Sequence, residues 1–100
     1  MLIKEKGQNT LVEVYGLYWV DNVRYHYVIP YDGHEGFISL RSDELEIIEF
    51  DINNFVLFVS EHGGEVLIHK LAADDNLVYD LIDHNADAMT EFKRRLTEYK

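Results

Sequence analysis

Five histidines and nineteen carboxylates are the side chains of this 100-residue chain that could do chemistry, and cysteine is absent. Thiol nucleophiles, disulfides and thiolate metal sites are therefore excluded by inventory. The densest polar cluster is Tyr31-Asp32-Gly33-His34-Glu35-Gly36, where two glycines leave the backbone free to aim Asp32, His34 and Glu35 at one point for acid and base work. Nothing beside it marks a nucleophile or an oxyanion donor, so a solvated hairpin loop is the simpler expectation. His26 and His69 fall in apparent strands, His62 in a turn and His84 on a helix. No two histidines have the i, i+4 spacing of a helical zinc site or the H-x-H spacing of a strand. The sequence thus predicts no catalytic residue, no metal site and no cofactor.

Charge carries the stronger signal. Nineteen Asp plus Glu against nine Lys plus Arg give a formal charge of -10, and fifteen of those carboxylates lie between Asp32 and Glu91, facing only Arg41 and Lys70. A field of that sign repels nucleic-acid backbone and anionic lipid and attracts basic surfaces. Asp80, Asp83, Asp87 and Glu91 step by three and four, which stacks them on one side of a helix. Like charges at that spacing oppose helix formation slightly. Asp43, Glu44, Glu46 and Glu49 make a second acidic edge, which could also guard a strand against aggregation.

A set of amphipathic rings is the third feature: Tyr15, Tyr18, Tyr25, Tyr27 and Tyr31 with Trp19 beside them. Rings of this kind are favoured at the centres of protein interfaces, and ordinary cross-strand packing would use them equally well. Trp19 and Tyr15 alternate in step with Glu13, so that face is expected to be at least partly exposed.

These side chains need a scaffold, and its length is right for one domain over residues 1–100. An apolar content of 47% supports a packed core. No apolar run approaches the roughly 20 residues that span a bilayer, and the start of the chain has no long apolar region, so a soluble, unprocessed, cytoplasmic protein is expected. Leu2 to Lys6 can form a first strand, turned by Gly7-Gln8-Asn9 into the long run Thr10 to Val20. Gly16, in the middle of that run, marks a bulge or bend. Asp21-Asn22 between two alternating runs signals a hairpin into Val23 to Ile29. Pro30 stops that strand, Phe37 to Leu40 resumes one, and Leu45 to Phe50 follows Arg41-Ser42-Asp43-Glu44.

Phe55-Val56-Leu57-Phe58-Val59 is continuously apolar and reads as the central strand, covered on both faces. The glycines at 63 and 64 turn it into a half-buried return strand from Glu65 to Leu71. Beyond that the period changes. Asp74 and Asp75 can cap a helix start, while Lys93, Arg94, Arg95 and Lys100 suit its end. Val78, Ile82, Asn85, Met89, Phe92, Leu96 and Tyr99 make one stripe with Asn85 as its weak link. Either one helix runs from about Asp75 to Tyr99, or a break near His84-Asn85 divides it.

The expected fold is α+β, an antiparallel β-meander of about six strands with a C-terminal helix packed on one face. The expected function is that of a non-enzymatic acidic protein that inhibits or neutralises a basic partner protein, such as an immunity protein of a bacterial nuclease toxin or a phage-encoded inhibitor, with no direct contact to nucleic acid or membrane. Asp80, Asp83, Asp87 and Glu91, or Asp43, Glu44, Glu46 and Glu49, would supply encounter and register, with Trp19 and Tyr25 as anchors. Two alternatives stand beside it: a small enzyme or metal-binding protein using the Asp32, His34 and Glu35 loop, and an accessory or structural subunit of an oligomer that self-associates through a sheet edge or the tyrosine face.

Overall fold

The computed structural model describes residues 1–61 and 63–99. Seven strands form one antiparallel sheet: β1 (Leu2–Glu5), β2 (Val12–Val20), β3 (Val23–Val28), β4 (Ile38–Arg41), β5 (Leu45–Glu49), β6 (Phe55–Val59) and β7 (Glu65–His69). Three helices follow, α1 (Lys70–Ala73), α2 (Leu77–Ile82) and α3 (Ala86–Glu98). The α+β class with a meander and a C-terminal helix is as expected, with one more strand. No helix among the described residues is long and apolar enough to cross a membrane.

The centre of the sheet is β2, not β6. One edge of β2 pairs with β3, which pairs in turn with β4. Its other edge is shared: β1 pairs with the start of the strand, setting Ile3 against Val12, and β7 pairs further along, setting Gly16 against Ile68 and Leu17 against Leu67. The sheet forks there. One branch runs β1 to β5, because β5 pairs back with β1 and not with β4; the other runs β7 to β6.

The fork depends on a bulge. The β2–β3 register shifts between Val14 and Gly16, so Tyr15 and Leu17, two residues apart, belong to different cores. The expectation that Tyr15 and Trp19 share a face is overturned by this extra residue, which reverses the alternation at that point. Asp21 and Asn22 both have positive φ, as a two-residue hairpin requires for its twist to match the flanking strands.

Each face of the sheet has its own core. On one, Phe37 and Ile68 pack with Ala72, Leu77, Val78, Leu81, Ala88, Met89 and Phe92 from the helices. Burying a side chain such as Phe92 contributes about 1.5–3 kcal/mol. On the other, the β1–β5 branch curls back so that Met1, Ile3 and Leu45 meet Val14, Leu17 and Val28. The helix stripe is broken near His84, the second of the two expected arrangements. His84 takes a positive φ, and Asn85 is the N-cap of α3, its Oδ1 accepting from the Ala88 N–H at 3.0 Å.

Two boundaries differ from expectation. The return strand ends at His69, whose Nδ1 accepts from the Leu71 N–H at 3.2 Å and so caps α1. Asp74–Asn76 is a short 3-10 turn in which Asp75 and Asn76 are left-handed, so these aspartates link two helices and do not start one.

Candidate functional site

The β2–β7 ladder stops at Leu17 and Leu67, and beyond it the strands splay apart. A groove of ≈ 300 Å³ opens between them, lined by Tyr18, Trp19 and Val20 of β2, Phe58 of β6, Val66 of β7, and Tyr79 and Ile82 of α2. Trp19 stands at its mouth with 52% of its surface exposed. A second hollow is bounded by Trp19, Leu57, Glu65, Val66 and Leu67. The indole edge therefore sits between two apolar recesses.

Local structure holds the groove rigid. Tyr18 stacks on Tyr25 at 5.2 Å and lies 4.8 Å from Tyr27, and its hydroxyl donates to Ser39 Oγ at 2.8 Å. Burial pushes the Tyr27 hydroxyl up to about 12, aided by the neighbouring Tyr18, so it remains a neutral, uncharged wall. Phe58 meets the Tyr79 ring edge-on at 5.5 Å, and the Tyr79 hydroxyl accepts from the Glu61 N–H at 3.0 Å. The rim is acidic. Glu65 lines the groove, Glu61 is fastened beside Tyr79, and Asp80 and Asp83 are exposed on the short helix that supplies Tyr79 and Ile82.

Of the acidic sets read from spacing, the structure separates the members. Asp80, Asp83 and Asp87 are exposed, and among the described residues none is in an ion pair; the break at His84 puts the first two on α2 and its cap and the third in the first turn of α3. Glu91 is different. Hydrogen bonds from Arg94 and then Arg95 hold its carboxyl down to about 2, with Arg94 Nη2 at 2.7 Å and Arg95 Nε at 2.6 Å. In the second set, Arg41 forks onto Asp43 at 3.0 and 2.8 Å, and Glu44 accepts from the Arg41 N–H at 2.9 Å. Glu46 and Glu49 are exposed on β5.

The loop singled out for acid and base work does not converge. Asp32 receives Lys93 Nζ at 3.4 Å, while His34 donates from Nδ1 to the Gly36 carbonyl at 3.2 Å and meets the His84 ring at 5.4 Å. His84 in turn donates from Nε2 to the Phe37 carbonyl at 2.9 Å. These bonds fasten the loop onto the α2–α3 corner. His26 is fully buried, donating from Nδ1 to the Leu40 carbonyl at 3.2 Å. His69 lines a separate cleft of ≈ 280 Å³ with Glu13, Glu49, Asp51 and Asn54. His62 lies outside the described residues, and among the described residues no three or more His, Asp or Glu side chains are placed to hold a metal ion.

Sequence reasoning named Trp19 and Tyr25 but missed Phe58, Val66, Tyr79 and Ile82, because a groove made by two diverging strands leaves no periodic trace. No protein-family model, curated protein or solved structure matches the chain.

Proposed function

We propose that this chain is a non-enzymatic acidic protein that inhibits or neutralises a basic partner by direct contact, in the manner of an immunity protein facing a bacterial nuclease toxin or of a phage-encoded inhibitor. The supporting observation is the coincidence of an apolar groove, a half-exposed tryptophan at its mouth and carboxylates that form no ion pair among the described residues on the element that forms its wall. A basic cleft built to hold phosphates is drawn to such a rim by steered association. The aromatic anchor then supplies the desolvated contact that sets residence time.

The test is capture with variants. Tagged wild-type protein, Trp19→Ala, and the triple reversal Asp80→Lys, Asp83→Lys, Asp87→Lys are each offered the lysate of the source cells at low and high salt. One stoichiometric basic protein, held by the wild type, released by salt and lost from both variants, supports the reading. Equal retention by all three chains sinks it.

A further inference from the structure

We propose that β6 joins two copies of this chain edge to edge, antiparallel, about a two-fold axis through Leu57. The interface uses the edge of β6 that faces away from β7, although Phe58 of the same strand also lines the groove.

The continuous apolar run that reads as a buried centre lies at the rim of the sheet, paired with β7 alone among the described residues. Leu57 is 61% exposed, Val59 57% and Val56 40%. Its outer edge is also open for hydrogen bonding. Lys70 N–H donates to the Asn54 carbonyl and Ser60 N–H to the Gly64 carbonyl, both at 2.8 Å. In an antiparallel ladder the bonded positions alternate, so residues 54, 56, 58 and 60 face β7, while the N–H and C=O groups of Leu57 and Val59 and the carbonyl of Phe55 face outward.

Other edges of the sheet carry the usual protection. Strand β4 is short and ends in Arg41, forked onto Asp43, and β5 carries Glu46 and Glu49. From Ile52 to Ser60 there is no charged residue, in a chain with 28 charged residues per hundred. Two molecules of charge -10 repel wherever carboxylates face each other, and this edge is where they do not.

The segment complements itself. About an axis through Leu57, each Phe55 lies opposite the other copy's Val59 and each Val56 opposite its Phe58, the aromatic against β-branched pairing that stabilises sheets. Leu57 exchanges both hydrogen bonds with its own counterpart, and each Phe55 carbonyl accepts from the other Val59 N–H. Glu61 falls beside Asn53 of the second copy, clear of Asp51. The pairing makes one continuous sheet through both molecules, closed by symmetry so that it does not propagate.

Sedimentation from about 1 μM to about 1 mM should show the mass of two chains at the upper end, with Leu57→Lys or Val59→Lys raising the dissociation constant by roughly 100-fold. Both side chains point out of the fold, so the monomer survives the change. Register is read separately, since the chain has no other cysteine. Leu57→Cys puts two thiols on Cα atoms about 5.5 Å apart, inside disulfide range, whereas Val59→Cys leaves them roughly 14 Å apart along the strands. Covalent dimer from Leu57→Cys and none from Val59→Cys is the expected result. A monomer at all concentrations, a dimer indifferent to both lysines, or equal cross-linking of the two cysteines overturns the proposal.

Discussion

Gly16 faces Ile68 across the β2–β7 ladder so closely that a Cβ built on the glycine would stand 2.6 Å from Ile68 Cδ1. Ile68 is fully buried under the helices, so its Cδ1 can move only by displacing core neighbours. The bulge that forks the sheet is thus also a place where β2 and β7 leave no room for a side chain.

The first prediction orders three glycine substitutions. Gly16→Ala should cost about 1–3 kcal/mol by overpacking. Gly36→Ala should cost more, because its Cβ would meet the Leu81 carbonyl oxygen at 2.5 Å at a φ of +91, adding left-handed strain of about 1–2 kcal/mol to a clash with backbone. Gly7→Ala, with φ +83 and nothing within 4 Å, should show the strain alone. Urea midpoints at constant m-value give the ranking.

Much of this was legible from residue types, and the reasons for the misses are physical. Asp21-Asn22 announced its hairpin because two left-handed residues are needed there, and Gly16 announced the bulge because only a residue without a Cβ fits. Asn85 showed as a flaw in an apolar stripe and is the N-cap of α3. The place of β6 was hidden, since an apolar run says what a strand can bury and not whether anything covers it. The return of β5 to β1 was equally silent, because strand order depends on contacts far apart in the chain. Glu91 was readable after all: Arg94 and Arg95 stand three and four residues away, the spacing at which helix neighbours pair.

Arg95 should matter more than Arg94, although both bond Glu91. Arg95 Nη1 donates to the carbonyls of Leu71 at 2.9 Å and Asp74 at 3.1 Å, tying α3 to the chain around α1, and only 15% of its side chain is exposed. Removing it leaves those carbonyls without their charged donor, a loss of about 1–3 kcal/mol. Lysine cannot fork to both, so Arg95→Lys should recover little of what Arg95→Ala loses. Arg94→Ala, at an exposed and solvent-screened pair, should cost far less than Arg95→Ala. Thermal unfolding of the three variants checks the contrast.

Acid should weaken the fold through two histidines. Burial lowers the His26 pKa against the opposing pull of its bond to Leu40, with Arg24 adding to the lowering; burial and then Lys70 lower that of His69, with Glu13 opposing. Both bind a proton less readily in the fold than in the unfolded chain, where they titrate near pH 6.5. The unfolded state therefore binds more protons below that pH, and stability, complete above it, falls as pH drops through it. The melting temperature should decline between about pH 7.5 and about pH 5.5. His26→Leu should flatten the decline while costing little at the upper pH, because it also removes a buried Nε2 that has no partner among the described residues.

If the groove engages a basic partner, its two kinds of residue should separate kinetically. Reversal of Asp80, Asp83 and Asp87, exposed and outside any ion pair among the described residues, should slow association by roughly tenfold and flatten its salt dependence, leaving dissociation almost unchanged. Trp19→Ala should do the opposite, speeding dissociation by roughly 30-fold or more with little effect on association, as the loss of a central anchor does. Asp43→Lys should do neither, since Arg41 already offsets that charge. Surface plasmon resonance with the captured partner at about 50 and about 300 mM salt resolves the rates. If Trp19→Ala and the charge reversals alter the same rate constant to the same degree, the division of labour between rim and anchor is wrong.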